Sequence, residues 1–339
     1  MICEEADGMN FSNMPGFGDL CEDYRNDLME LPAGGNGLWR TGLDGVCRIL
    51  TPLDRKIELI VFEEKTLVYV KSAFGYPAIY PLREIAFESP ARAVLMDLDG
   101  TTVRSEEFWI RMIELTMAHV MKRAGFALED SDIPYVSGHS VSEHLQYCIN
   151  KYCPGRRLEE TRQVYTELTR HQMNEILEGR GPAHFFVPSP NLKEFLTALK
   201  AERVKVGLVT SGLYEKAWPE ITGAFRVMGL GDPLEFYDTI MCAGFSPRRG
   251  QVGTLGELAP KPHPWLYAEA ARMGLGLSWD SRNRVIGIED SAAGIIAIRL
   301  AGFAGVGIAG GNIAAGGARP FMYRECKDLM EILPLILGS

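Results

Sequence analysis

The run Ala93-Val94-Leu95-Met96-Asp97-Leu98-Asp99-Gly100-Thr101 decides how this chain is read. Its first four residues are apolar without polar alternation, the pattern of a strand buried on both faces of a parallel sheet. The strand then runs straight into two carboxylates and a glycine. Open parallel sheets bind ligands at the carboxyl ends of their strands, so the chemistry is expected at Asp97 and Asp99.

Working outward, similar apolar runs occur at 204–209, 239–242, 285–288 and 304–308, mostly separated by helical patterns. That alternation predicts an α/β fold with a doubly wound parallel sheet, a Rossmann-like core. About a hundred residues between the first and second runs read as helical, far more than a simple crossover needs. They predict an inserted all-helical cap domain at 105–187, with the core formed by 91–104 and 188–339. Within the insertion, Ser105 is expected to cap a helix reaching about Arg123, with Gly125 just past its end. Ser140 and Glu143 form an S-x-x-E capping box ahead of a helix through Tyr147. A third helix is expected over Leu158 to Leu177, stopped by Gly179, Gly181 and Pro182.

Residues 1–90 form an extension of unknown role. The first 35 or so read as a weakly structured arm. Ile57–Phe62 and Thr66–Lys71, separated by Glu63, Glu64 and Lys65, predict a hairpin in a small β-rich unit ending near Pro90. At the other end, the Gly-rich stretch 305–317 reads as a loop after the last core strand.

Composition narrows the function. Among 339 residues, 35 Lys and Arg stand against 44 Asp and Glu, a net charge of -9. That balance disfavours a nucleic-acid backbone binder. No apolar run reaches the length of about 18 residues that a membrane span needs. The acidic Glu4, Glu5 and Asp7 do not suit a targeting peptide, and the seven scattered cysteines form no CxxC pair. A cytoplasmic protein is expected.

Four polar points are expected to converge at the strand ends: Asp97-x-Asp99-Gly100-Thr101, then Thr210-Ser211-Gly212, then Lys261-Pro262, then Glu289-Asp290-Ser291. Clustered carboxylates repel unless a hard cation joins them, and oxygen donors with room for water suit Mg²⁺. Thr210 offers a hydroxyl and Lys261 a positive charge to phosphoryl oxygens.

In this order the motifs resemble those of the haloacid dehalogenase-like hydrolase superfamily over about residues 91–339. The string from Glu289 to Gly294, continuing to Gly302, is similar to the subgroup of β-phosphoglucomutase and phosphoglycolate phosphatase. The resemblance implies Asp97 as nucleophile through an aspartyl-phosphate, with Asp99 as general acid and base. It further implies that Asp97, Asp290 and the Asp99 backbone carbonyl bind Mg²⁺. Glu289 is open as a metal ligand or as a partner orienting Lys261. Ser211 and Gly212 are candidate substrate contacts, as are Arg104 and His139, the latter in the Ser137–Ser140 loop where the family places substrate-selecting residues. The Lys261-Pro262 bond is expected to be cis. An acid at Asp99 implies a phosphate-ester substrate rather than a carbon–halogen one.

The chain also departs from the subgroup pattern, with Arg104 where an Asp is usual, Trp109 where a His is usual, and no Lys-Asn pair after Ser211. These departures favour a phosphatase over a mutase. The expected partner is a small-molecule phosphate ester, selected by closure of the cap about hinges near 103–106 and 187–190. The alternatives are a sugar phosphomutase and, in another class, a ligand-responsive binding module whose N-terminal unit recognises a partner.

Overall fold

The computed structural model describes residues 14–17, 22–35, 37–71, 78–133, 141–242 and 259–338. Contacts divide the chain into two compact units, one of 1–102, 190–214 and 234–339, the other of 103–189 and 215–233.

The larger unit holds two sheets. The first is antiparallel, in the order β1 (Leu28–Leu31), β2 (Arg48–Pro52), β3 (Ile57–Val61), β4 (Thr66–Val70) and β5 (Ala78–Leu82). The expected hairpin is its β3–β4 pair, Ile57 opposite Val70 and Val61 opposite Thr66. The expected arm is corrected in part, because Leu28–Leu31 pairs with β2 and both Met14 and Phe17 are buried. Their burial in the apolar core outweighs a local sequence that carries no period.

The second sheet has six parallel strands in the order β10-β9-β6-β11-β12-β13, where β6 is Ala93–Asp97, β9 Lys205–Thr210, β10 Thr239–Cys242, β11 Val285–Glu289, β12 Ala304–Ile308 and β13 Arg324–Cys326. The doubly wound parallel sheet is therefore as expected. One element was missed: Gly305 and Gly307 lie within β12, and β13 follows the Gly-rich stretch at the sheet edge. The first strand in sequence, β6, is fully buried between β9 and β11, with later strands on either side. That makes its carboxyl end a topological switch point, where a crevice opens in such sheets.

Helices α4 (Leu192–Ala201), α6 (Trp265–Glu269), α7 (Ala292–Leu300) and α8 (Leu329–Leu337) belong to this unit. Ser291 caps α7, its Oγ accepting from the Gly294 N–H at 3.1 Å, and Asp328 caps α8 by accepting from Met330 and Glu331.

The smaller unit is helical: α1 (Glu106–Met121), α2 (Val141–Tyr152), α3 (Leu158–Leu177) and α5 (Tyr214–Val227), whose first residue lies in the larger unit. Phe108, Met112, Ile113 and Met117 recur at helical spacing on α1 and are buried. A two-residue antiparallel ribbon pairs β7 (Val103–Arg104) with β8 (Val187–Pro188) in this unit. Three local expectations shift. Ser105 makes no capping bond and instead accepts from the Trp109 indole at 3.2 Å. The end of α1 is set by Lys122 in the left-handed region, before Gly125. The helix expected to end at Tyr147 runs on to Tyr152.

The extra turn of α2 has a cause. Asp132, buried, accepts hydrogen bonds from Tyr147 (2.7 Å), Lys151 (2.6 Å), Tyr152 and the Glu129 N–H (3.0 Å). Burial alone would raise the pKa of Asp132, but Lys151 and the two hydroxyls hold it well below the carboxylate range. A depressed folded pKa contributes stability above the unfolded value of about 3.9 and loses it as pH falls. Asp132→Asn should therefore lower the melting temperature at pH 7, with the gap to wild type narrowing as pH drops below about 4. Parallel melting curves from pH 7 to 3 would overturn this assignment.

Candidate active site

Three strand ends and one loop deliver the polar groups. Asp97 is the last residue of β6, Thr210 of β9 and Glu289 of β11. In register, Asp97 lies beside Val209, and Met96 beside Ile288, so Asp97 and Glu289 are brought level. Lys261 enters from the loop before α6, through a cis Lys261-Pro262 bond.

Lys261 is the hub. Its buried Nζ donates to Asp97 Oδ1, to Glu289 Oε1 at 2.5 Å and to the Val209 carbonyl at 3.2 Å, so all three ammonium protons are used. Its backbone N–H donates to Ser211 Oγ at 3.1 Å. Burial would lower the lysine pKa, but Asp97 and then Glu289 hold it above the ordinary value. Asp97 is shifted the other way from a normal carboxyl. Burial raises its pKa, Glu289 adds to the rise, and Lys261 only partly opposes it. Asp290 is pushed up to about 6 by burial and then by Glu289.

Glu289 is fully buried. Oε1 accepts from Lys261 and from the Tyr267 hydroxyl (2.8 Å), while Oε2 accepts from the Ser291 N–H (3.2 Å) and hydroxyl (2.9 Å). Four donors thus meet the carboxylate, one of them Lys261, an arrangement suited to anchoring Lys261. The carboxylates of Asp97, Glu289 and Asp290 each have an oxygen within 4.8 Å of the others. Asp97 and Asp290 offer the oxygen chemistry a hard divalent cation takes, and a cation there would offset the rise in pKa that burial gives both.

Two glycines make this packing possible. Gly100 has φ +85°, and a Cβ there would lie 2.2 Å from Asp290 Oδ2, so the motif glycine leaves room for the second carboxylate. A Cβ on Gly294 would lie 1.8 Å from Glu289 Oε1. Gly294→Ala is expected to push Glu289 off Lys261 and to cost about 1–3 kcal/mol, a typical overpacking penalty, read by urea denaturation. A variant as stable as wild type would show that Glu289 can move freely.

Other sequence candidates fall out as follows. Thr210, buried, accepts at Oγ1 from the Gly212 N–H at 2.9 Å. Asp99 is half-buried beside Asp97, and its charge contributes to the raised Asp97 pKa. Ser211 is exposed and Gly212 half-buried. Arg104 is exposed on β7 of the helical unit, where Trp109 donates its indole N–H to the buried Glu220 at 3.1 Å. His139 and the rest of the Ser137–Ser140 loop lie outside the described residues.

Sequence reasoning missed Tyr267, Thr102 and Asn312. The Tyr267 hydroxyl touches Glu289 from 22 positions away, a link only folding reveals. Thr102, one step past the motif, donates to the Asp97 carbonyl. Asn312 donates its N–H to the Asp290 carbonyl at 2.9 Å and accepts from the Ala292 N–H at 2.8 Å.

Comparison with known proteins adds three findings. The family profile of the haloacid dehalogenase-like hydrolases matches residues 91–302. No curated protein sequence matches the chain. Solved structures with similar folds include a predicted phosphoglycolate phosphatase from Haemophilus somnus 129Pt, with 19% identity, TM-score 0.54, and 73% of this chain and 98% of that chain covered. A protein assigned as a β-phosphoglucomutase from Thermotoga maritima gives 18%, 0.52, 73% and 99% in the same order. A subfamily IA hydrolase of the same superfamily from Geobacter sulfurreducens PCA gives 16%, 0.52, 74% and 99%. At these identities the likeness shows the fold, and all three leave roughly a quarter of this chain unmatched.

Proposed function

We propose, because the chain belongs to the haloacid dehalogenase-like hydrolase family, that it is a Mg²⁺-dependent phosphatase of a small phosphorylated metabolite. The observation that carries this reading is the hub itself, where Lys261 neutralises Asp97 at a switch-point strand end and Glu289 holds Lys261 in place.

In this reading an Asp97 oxygen attacks phosphorus and the ester oxygen leaves, giving an aspartyl-phosphate that water later hydrolyses. Asp99, two residues on, gives a proton to the leaving oxygen and then takes one from the attacking water. Thr210 donates its hydroxyl to a phosphoryl oxygen, and Lys261 supplies fixed positive charge where transition-state charge develops. Asp97, Asp290 and the Asp99 carbonyl would hold Mg²⁺, which when bound keeps both carboxylates ionised and screens the approach of an anionic phosphate to Asp97. Glu289 keeps Lys261 oriented and is not itself a ligand in this scheme.

The neighbours named for phosphoglycolate phosphatase and β-phosphoglucomutase fit chemistry at phosphate esters. Arg104, Trp109 and the Gly212-Leu213-Tyr214 stretch, each departing from the mutase-like pattern, favour release of phosphate to water over its return to substrate. The deciding experiment measures inorganic phosphate released from a panel of sugar phosphates and phosphorylated small acids, with Mg²⁺ and with chelator. Mg²⁺-dependent release supports the phosphatase. Isomerisation without net release, or binding without turnover, sinks it.

A further inference from the structure

The reaction scheme gives no task to residues 14–88, and the family match begins only at residue 91. The antiparallel sheet and its loops nevertheless meet, at two places within the larger unit, the segments next to Lys261 and Asp290.

The first is Tyr80, in the middle of β5. Its hydroxyl and His263 Nδ1 share a hydrogen bond of 2.9 Å, and its ring stands edge-on to His263 and Trp265 at 6.0 and 6.3 Å. His263 is 6% exposed and lies two residues after Lys261. Its N–H donates to the Pro260 carbonyl at 3.1 Å, closing the turn that carries Lys261. Immediately beyond, α6 bears Tyr267, the second donor to Glu289 Oε1. Leu59, Val68 and Val70 of the antiparallel sheet belong to one continuous apolar core with Leu266, Tyr267 and Ala270. Tyr80 thus grips a turn whose two flanks both end on Glu289.

The second place is the loop after β12. The Asp54 N–H donates to the Gly316 carbonyl (3.2 Å), the Gly316 N–H to Asn312 (2.8 Å), and the Asn312 N–H to the Asp290 carbonyl (2.9 Å). Arg319 on the same loop pairs with the buried Asp27, its Nε 2.7 Å from Oδ2. The sheet therefore braces the backbones of both Lys261 and Asp290.

We propose that the N-terminal sheet is part of the catalytic scaffold, with Tyr80 a positioning residue that acts through His263 on Lys261. This deepens the phosphatase reading and rests on it for the activity readout. Small displacements of a charged group cost rate steeply, so removal of one oxygen from Tyr80 should be visible in turnover.

The test uses full-length protein with para-nitrophenyl phosphate and Mg²⁺. Tyr80→Phe should lower kcat about tenfold while KM changes less than about twofold, because Lys261 acts on transition-state charge. His263→Gln, whose amide can still hydrogen-bond to Tyr80 as donor or acceptor, should retain more activity than His263→Leu. Tyr80→Phe combined with His263→Leu should be little slower than His263→Leu alone, since the Tyr80–His263 link is then already broken and Tyr80→Phe removes only the bond of its hydroxyl with Trp265. Lys200→Gln, which breaks the pair of Lys200 on α4 with Asp238, outside the N-terminal sheet, should leave kcat unchanged. Hydrogen exchange gives an independent readout: the Lys261 and His263 amides, bonded to Ser211 Oγ and to the Pro260 carbonyl, should exchange faster in Tyr80→Phe. Unchanged exchange at these two amides, or effects of the two substitutions that multiply, overturns the proposal. If the wild type releases no phosphate, the phosphatase reading fails alone, and faster or unchanged exchange still decides the role of Tyr80.

Discussion

Asp97→Asn is expected to lower phosphate release by on the order of 10³-fold or more, as removal of a covalent nucleophile does, while leaving the metal-free protein at least as stable as wild type at pH 7. The second half of that expectation comes from electrostatics. Asp97 is buried, faces Glu289 and feels Asp99, so its ionised form is disfavoured in the fold despite Lys261. An acid whose folded pKa lies above its unfolded value weakens the fold as pH rises through that interval, and a neutral amide of the same shape removes the penalty. Lys261 keeps Glu289 and the Val209 carbonyl as partners in the variant. Mg²⁺ should raise the melting temperature of the wild type and raise that of Asp97→Asn less, because one ligand loses its charge. Phosphate assays and melting curves with and without Mg²⁺ check both halves. Near-wild-type turnover in Asp97→Asn would remove Asp97 from the nucleophile's role, and a large loss of stability would show that Asp97 is chiefly a partner for Lys261.

Much of the site was legible because its signals are local. The uniform apolar run 93–96 ends at Asp97, and the same pattern at 285–288 ends at Glu289, so strand and carboxylate are read together from a few residues. The Leu158–Leu177 helix carried its own period and its glycine stop. The Lys261-Pro262 bond is cis, as the resemblance implied. What stayed illegible depends on contacts distant in sequence. β5 reads poorly as a strand because Pro81 interrupts it and only Leu82 is fully buried, yet it pairs along its length with β4. β13 is three residues long with one buried, too short to show a period. The four donors around Glu289, two of them on Lys261 and Tyr267, likewise come from residues that no local pattern links to it.

The same distinction bears on the N-terminal extension. Read along the chain, an unassigned β-rich segment suggests a separate recognition module. In the structure its apolar face shares a core with α6 and α7, and its loops hydrogen-bond to the segment that supports Asp290. That face is spent on the elements behind the carboxylate cluster.

Lys261→Met should combine the two largest effects in one substitution. Losing the cation removes transition-state stabilisation worth about 10²–10³-fold in kcat, the usual scale for a group that meets developing charge. It also leaves Asp97 and Glu289 facing each other in the interior with no cation between them, where removing one partner of a buried ion pair costs roughly 3–5 kcal/mol. The two effects separate in a second variant. Lys261→Met combined with Glu289→Gln removes one of the two stranded carboxylates, so stability by urea denaturation should recover in part, while activity should not, because the cation is still missing. Lys261→Arg should rescue neither, since a planar guanidinium cannot place three donors on Asp97, Glu289 and the Val209 carbonyl from one nitrogen. If the double variant is as unstable as Lys261→Met, the loss comes from the emptied volume rather than from stranded charge. If Lys261→Arg retains full turnover, the positive charge suffices and the three-point geometry of the ammonium does not set the rate.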